Sequence, residues 1–152
     1  MYKRILVPVD GSETSNKALV AALQMARESG GRVRVIHTLD ELAYLSGFEV
    51  SGDLIQLARD YASKVLQDAL EVAKSAGVPV ESKLVEGVGA RLGEVVADEA
   101  RAWGADLVVV GTHGRRGVGR VLLGSGAEQV LRLAPVPVLA VRSSASCSTL
   151  DA

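Results

Sequence analysis

The sequence predicts a single α/β domain in which a doubly wound parallel sheet carries helices on both faces. Strand-like and helix-like segments alternate along the 152 residues, and the strand-like segments are continuously apolar, as strands buried on both faces are. The length fits one domain. Because no uncharged apolar stretch approaches the ~18 residues that a membrane span needs, a transmembrane protein is excluded.

The first elements follow from a change of period along the chain. Residues 5–9 form a short apolar run that ends at the turn residues Asp10-Gly11-Ser12, which predicts a buried strand. Apolar residues at helical spacing then continue to about Ser29, and Gly30-Gly31 is typical of a helix C-terminus. Residues 32–38 predict the second strand.

The rest of the chain repeats this alternation. Apolar residues from Leu54 to Val72 predict a long amphipathic helix that ends at Gly77. The remaining predicted elements are a strand over 78–85, a helix over 90–103, a strand over 106–110, a helix over 125–133 and a strand over 136–141. Pro137 has no N–H for a sheet hydrogen bond, so we expect the fifth strand at a sheet edge, where a second copy can pair.

Composition narrows the classes of partner and compartment. The formal net charge is −1, so no global field attracts nucleic acid or an anionic membrane. The single cysteine, Cys147, forms no internal disulfide, and the first residues lack the apolar region of a signal peptide, so we expect a cytoplasmic protein. Residues 143–152 are Ser-rich without periodicity, which predicts a disordered tail after a domain of residues 1–142.

A glycine-rich segment directly follows the fourth strand. Six of the 16 glycines lie between residues 111 and 126. In an open parallel sheet, ligands bind beyond the carboxyl ends of the strands, and glycine lets the backbone approach a phosphate closely. Residues 125–128, Ser-Gly-Ala-Glu, match a capping box, which places the N–H groups of Ser125, Gly126 and Ala127 at a helix N-terminus, a ready anion site.

The common signatures of nucleotide enzymes are absent from the sequence. No glycine is followed by lysine, as a Walker A loop requires, and no three glycines fit G-x-G-x-x-G. There is no G-x-S-x-G or C-x-x-C motif, and His37 and His113 alone make no histidine metal cluster. A conventional P-loop ATPase or nicotinamide dehydrogenase is therefore disfavoured.

The glycine-rich segment resembles the phosphate-binding pattern of the universal stress protein family, in its ATP-binding branch. That pattern, G-x2-G-x9-G followed by Ser or Thr, is met by Gly111, Gly114, Gly124 and Ser125. Residues 5–12 look like the opening strand and turn of the family. Residues 134–139 look like its closing strand, so the resemblance covers nearly the whole chain.

The resemblance implies a sheet in the order 3-2-1-4-5, a homodimer through strand five, and ATP bound between the loops after strands one and four. It implies that Asp10 lies near the adenosine. No separate protein metal site is predicted; an ATP-hydrolysing function would hold Mg²⁺ mainly through the ATP phosphates, with Asp10 or Ser125 as candidate protein ligands. Gly126 departs from the larger apolar residue common in relatives. The implied nucleotide-binding residues are Pro8, Val9, Asp10, Thr38, Val110, Gly111, His113, Gly114, Gly124, Ser125, Gly126 and Ala127.

Several of these residues have a plainer interpretation. Asp10 is also a turn-former that accepts hydrogen bonds from its own backbone. Ser125 is a good N-cap whatever binds there. The loop arginines 115, 116 and 120 serve either solubility or phosphate neutralisation.

The histidines and large aromatics also have structural interpretations. His113 shows no orienting partner for a general base, so a backbone or ribose contact is favoured. His37 lies inside an apolar strand and is interpreted as a satisfied core histidine. Tyr61 and Trp103 fall on helical core stripes and need no cofactor to explain them.

The sequence leaves two main functions open. The first is an ATP-binding regulatory protein of the stress response, in which nucleotide occupancy orders residues 111–124 for an unidentified protein partner. The alternative is a slow ATP hydrolase or phosphotransferase, although no residue set for it is visible. A third hypothesis is flavin mononucleotide held by the hydroxyls of Ser12, Thr14 and Ser15.

Overall fold

The structure is a computed structural model that describes residues 1–40, 52–87, 89, 91–112 and 123–142. The strands are β1 (Arg4–Pro8), β2 (Arg32–Asp40), β3 (Val80–Gly87), β4 (Leu107–Gly111) and β5 (Val138–Val141). The helices are α1 (Glu13–Ser29), α2 (Gly52–Ala76), α3 (Leu92–Trp103) and α4 (Ser125–Leu133). The predicted tail, His113, Gly114 and the loop arginines lie outside the described residues.

The five strands form one parallel sheet in the order β3-β2-β1-β4-β5. The chain winds from β1 outward to β3 and then returns to build β4 and β5 on the other side. The winding direction therefore reverses between β1 and β4, where such sheets bind ligands. The predicted fold class and strand order are confirmed, and β5 is an edge strand among the described residues.

Helices cover both faces of the sheet, as the continuously apolar strands predict. Alternate strand residues point to opposite faces, so Ile5 and Val7 pack under α1 and α2. Leu6 and Val108 pack on the other face, under α3 and α4. All four side chains are fully buried, and burial of each stabilises the fold by about 1.5–3 kcal/mol.

The amino end of the sheet fixes the register of β1 against β4. The Asp106 carboxylate accepts the backbone N–H groups of Lys3 at 2.8 Å and Arg4 at 3.0 Å, and the Asp106 N–H donates to the Arg4 carbonyl at 2.9 Å. The Lys3 ammonium also donates to the Ser29 carbonyl at the end of α1. The Arg4 guanidinium donates to the Trp103 carbonyl at the end of α3, where cations are favoured.

The helix ends confirm the glycine stops that the sequence predicts. Gly30 follows α1 with φ +69° and Gly77 follows α2 with φ +70°. These left-handed angles strain residues that carry a Cβ atom. The fifth strand begins later than predicted, at Val138, because Pro137 lies just outside it and contributes only its carbonyl, to the Val108 N–H at 3.0 Å.

A charge network centred on the buried carboxylate of Glu99 joins β2 and β3 to α3. The Glu99 side chain is only 7% exposed and accepts from Arg34 Nη1 at 2.5 Å and Lys83 Nζ at 2.9 Å. Arg34 also pairs with Glu81 at 3.1 Å and stacks on the Trp103 ring at 4.9 Å. Burial raises the pKa of the Glu99 carboxyl, but the hydrogen bonds and charges of Lys83 and Arg34 outweigh burial and leave that pKa below 4.5.

We predict that Glu99→Gln lowers the free energy of unfolding at pH 7 by about 2 kcal/mol, because both cations lose a charged acceptor. Because the pKa of Glu99 is lower in the folded state, the carboxylate stabilises the fold above the unfolded pKa, near 4.5. That contribution is lost as pH falls through the folded pKa. Urea unfolding of wild type and variant at several pH values measures this difference.

The matched control is Asp98→Asn, one residue earlier on α3. Its side chain is 81% exposed, so its free energy of unfolding is expected to change by less than about 0.5 kcal/mol. A difference between wild type and Glu99→Gln that stays constant from pH 7 to pH 3 would contradict the ionised role of Glu99.

Candidate functional site

The carboxyl ends of β1 and β4 lie side by side, since Ile5 pairs with Leu107 and Leu6 with Val108. The chain segments that leave these two strands therefore begin at the same edge of the sheet. We call this edge, between the residues after β1 and the start of α4, the mouth of the sheet. Most of the described residues that the family resemblance assigns to the site lie at or beside it.

Gly111 lets the end of β4 pack directly against the first turn of α1. A Cβ atom built on Gly111 would lie 2.8 Å from the Thr14 carbonyl carbon and oxygen and 3.0 Å from the Ser15 nitrogen. These are backbone atoms, which cannot rotate away as a flexible side chain can. The glycine therefore sets how closely β4 approaches α1 at the mouth.

The turn between β1 and α1 is held by its own side chains. Asp10 Oδ1 accepts the Ser12 N–H at 2.9 Å, so the turn-forming interpretation of Asp10 is confirmed for one carboxylate oxygen. Gly11 has φ +82°. Ser12 is the N-cap of α1, and its Oγ accepts the Ser15 N–H at 3.2 Å. The predicted nucleotide contact of Asp10 stays a prediction.

Two ring side chains donate hydrogen bonds to the backbone of this turn. The sequence predicted a satisfied polar group for only one of them, His37. His37 is buried and its Nδ1 donates to the Val9 carbonyl at 2.7 Å, as expected for a core histidine. The Tyr61 hydroxyl donates to the Asp10 carbonyl at 2.9 Å. Tyr61 falls on the apolar stripe of α2, so periodicity alone gives no signal for this polar contact.

The other predicted site residues that precede the glycine-rich segment offer mainly apolar surface and few hydrogen-bond donors. Pro8, Val9 and Val110 are buried, and the Val9 N–H already donates to the Ile36 carbonyl at 2.8 Å. Thr38 is half-buried in β2, paired with Val85 of β3. Pro8, Val9 and Val110 can thus offer a ligand only backbone and apolar surface, and Thr38 adds a half-buried hydroxyl.

The start of α4 corrects the predicted capping box. The N-cap is Gly124, with φ −63° and ψ 154° and no side-chain cap hydrogen bond, so Ser125 is the first helical residue. Glu128 is one position too far along to complete a capping box, and its carboxylate accepts from Arg132 Nη2 at 2.9 Å instead. The N–H groups of Ser125, Gly126 and Ala127 still lie in the first turn, as predicted, and have no acceptor within the helix.

The two helices that begin at the mouth differ in this respect. The Ser12 hydroxyl accepts one N–H of the α1 first turn, whereas no side chain in the described part of the chain caps α4. Gly124 donates its own N–H to the Thr112 carbonyl at 2.6 Å. The Thr112 hydroxyl is buried, with the residue 6% exposed, and has no hydrogen-bond partner among the described residues. Free N–H groups at the α4 start fit a phosphate group.

The space beside Gly126 is already filled by a neighbouring side chain. A Cβ atom built on it would lie 2.8 Å from Leu92 Cδ2 of α3. Leu92 therefore already occupies the space beside the first turn of α4. Ala127 is buried against the same face of the sheet, so only its backbone can meet a ligand.

The structure weighs against the flavin hypothesis. Ser15 Oγ donates to the Ser12 carbonyl at 3.1 Å, the Ser12 hydroxyl caps α1, and Thr14 is buried. The hydroxyls proposed to bind a flavin phosphate are thus used within the protein.

Within the described ranges there is no group of three His, Cys, Asp or Glu side chains that could hold a metal ion. Nor do those ranges contain a helix long and apolar enough to cross a bilayer.

Comparison with known proteins identifies the family. The sequence model of the universal stress protein family matches residues 1–142. The chain belongs to the universal stress protein family. It is 36% identical over 144 residues to universal stress protein MJ0531 of Methanocaldococcus jannaschii, a match that covers 93% of this chain and 83% of that protein.

Solved structures of universal stress proteins share the fold. The structure of hypothetical protein MJ0577 superposes with a TM-score of 0.81 at 29% identity, covering 94% of this chain and 97% of that one. A universal stress protein in complex with cAMP gives 0.67 at 27% identity, covering 93% and 97%. The Archaeoglobus fulgidus protein in complex with dAMP gives 0.70 at 26% identity, covering 92% and 98%.

We predict that Gly111→Ala destabilises the fold by about 2–3 kcal/mol, because the new Cβ meets backbone of α1 that cannot repack. The matched control is Gly126→Ala, whose Cβ meets only the movable end of Leu92. We expect that variant to cost less than about 1 kcal/mol, since alanine also favours helix. Urea unfolding monitored by circular dichroism compares the two, and equal losses would contradict the close approach at Gly111.

Proposed function

We propose that this universal stress protein is a regulatory protein of the stress response that binds ATP at the mouth of its sheet. The observation that carries the proposal is the uncapped N-terminus of α4, which lies after the strand that packs against α1 through Gly111. Such a helix start supplies N–H donors and a partial positive charge to an anion.

The two ends of the nucleotide have different surroundings in this proposal. The adenosine lies against Pro8, Val9, Asp10 and Thr38, at the carboxyl ends of β1 and β2. Buried walls with few donors suit a flat base. The sugar and phosphates run toward β4 and α4. There the proposed binding residues are Val110, Gly111, His113, Gly114, Gly124, Ser125, Gly126 and Ala127.

The relatives support the adenine part of this proposal. One solved structure is a complex with cAMP and another is a complex with dAMP. Both ligands combine an adenine base with a single phosphate. In our proposal, the N–H groups of the α4 first turn bind the additional phosphates of ATP. Mg²⁺ would bind through the phosphates of ATP, because such ions usually keep few protein ligands. We also propose that the protein is cytosolic. Slow ATP hydrolysis, the alternative function, stays a prediction.

We predict that Gly124→Asp weakens ATP binding by at least about tenfold, because a carboxylate at the N-cap repels the phosphates and competes for the same N–H groups. Gly124→Asn is the matched control, since it has the same shape without the charge. The Gly124 backbone angles suit either residue, and both are good N-caps, so we expect neither variant to unfold.

Isothermal titration of wild type and both variants with adenosine, AMP and ATP measures the effect. We expect the loss in Gly124→Asp to grow with the number of phosphates, and adenosine affinity to change less than about twofold. In Gly124→Asn the ATP affinity should stay within about threefold of wild type. Equal ATP affinity in the aspartate and asparagine variants would contradict a phosphate site at the α4 start.

We also propose a homodimer through β5. This strand is at the edge of the described sheet, and Leu139 on it is 39% exposed. Leu131 and Leu133, at the end of the preceding helix α4, are 45% and 40% exposed. An edge strand with free backbone groups beside exposed leucines suits pairing with a second copy.

We predict that Leu139→Lys shifts the protein from dimer to monomer, because the change places a charge in the proposed interface. Light scattering after size-exclusion chromatography measures the mass of the particle. The control is Leu57→Lys on α2, which is 64% exposed and lies over the opposite half of the sheet. A wild-type protein that is monomeric at high concentration, or equal dissociation in both variants, would contradict the β5 interface.

A further inference from the structure

Tyr61 of α2 contacts the turn after β1 at the point where the proposed site receives the adenosine. Its hydroxyl donates to the Asp10 carbonyl at 2.9 Å. The next residue, Gly11, lies close to the same side chain. A Cβ built on Gly11 would be 2.6 Å from the Tyr61 hydroxyl oxygen and 3.5 Å from the ring carbon bonded to that oxygen. The turn therefore rests directly on the end of this side chain.

His37 of β2 holds the preceding carbonyl of the same turn. Its Nδ1 is 2.7 Å from the Val9 oxygen, and its ring meets that of Tyr61 edge to face, with the centroids 6.2 Å apart and the planes at 68°. Two ring side chains from different elements thus donate to consecutive carbonyls. Edge-to-face ring contact fixes the direction of both donors.

These contacts add to the hydrogen bonds that the turn makes within itself. Asp10 Oδ1 accepts the Ser12 N–H and Ser15 Oγ is 3.3 Å from the Asp10 N–H. With its carbonyl bonded to Tyr61 as well, Asp10 is restrained at its backbone nitrogen, its backbone oxygen and its carboxylate. A residue fixed at three points has little freedom to lose when a ligand binds it.

We propose that Tyr61 is a positioning residue for the nucleotide: it holds the Asp10 turn, with His37, in the conformation that receives the adenosine. The inference rests on the proposed function and adds a residue outside the glycine-rich segment and its phosphate-binding pattern. Tyr61 acts through Asp10 and does not touch the nucleotide. Because the turn meets the adenosine end, the contribution of Tyr61 is the same for every adenine nucleotide, whatever its number of phosphates.

The test is Tyr61→Phe, which removes the hydroxyl and keeps the ring under Gly11. Loss of one hydrogen bond to the turn is expected to weaken binding of adenosine, AMP and ATP by the same factor, about fivefold. Tyr2→Phe is the matched control, because Tyr2 also packs partly buried against the core cluster under α1 and α2. We expect affinities within about twofold of wild type in that variant.

A readout without ligand separates positioning from general stability. In the free protein, Tyr61→Phe is expected to change the amide NMR shifts of Gly11 and Ser12 and to speed their hydrogen exchange, while amides of β4 keep their shifts. Titrations are run well below the midpoint of thermal unfolding, so that a small loss of stability leaves the binding-competent fraction unchanged.

The outcomes distinguish this inference from the proposed function. Wild-type binding of ATP with unchanged affinity in Tyr61→Phe overturns the role of Tyr61 alone. A loss that grows with the number of phosphates also overturns it, because the effect would then act at the α4 end. A wild-type protein that binds neither adenosine nor ATP overturns the proposed function and this inference together.

Discussion

The pairing of β1 with β4 is the contact on which the candidate site depends. Two strands distant in sequence become neighbours, and the Asp106 carboxylate fixes their register by accepting two consecutive N–H groups of the β1 start. Register set at one end of parallel strands determines where both strands end. The turn at Asp10 and the close approach at Gly111 therefore lie at the same edge, and the proposed site needs both.

Much of this architecture is encoded in local patterns that the sequence displays. Continuous apolar strands, helical periodicity and glycine stops predicted the elements, because burial on both faces and left-handed helix ends leave direct marks on residue type. The prediction of an anion site at the start of α4 likewise used a local pattern, the Ser-Gly-Ala-Glu match of residues 125–128. The strand order came from family resemblance, since local periodicity carries no information on which strands pair.

The parts of the site that sequence did not reveal depend on contacts between distant elements. Tyr61 has the spacing of a core residue, and only the packing of α2 against the sheet brings its hydroxyl to the Asp10 carbonyl. The capping box was wrong because a sequence match does not fix where a helix begins: Gly124 is the cap, and Glu128 pairs along the helix with Arg132. The buried Glu99 network likewise joins three elements, and its charges are indistinguishable from surface charges in the sequence.

The unequal caps of α1 and α4 make the two helix starts at the mouth electrostatically different even without a ligand. A serine hydroxyl accepts one N–H of the first helix start, while the cap residue of the second is a glycine, which has no side chain to accept one. An anion that reaches the mouth is therefore expected to be attracted to the start of α4. If the proposed function holds, an elongated anion would bind with its phosphate end toward α4 and its other end toward the turn after β1.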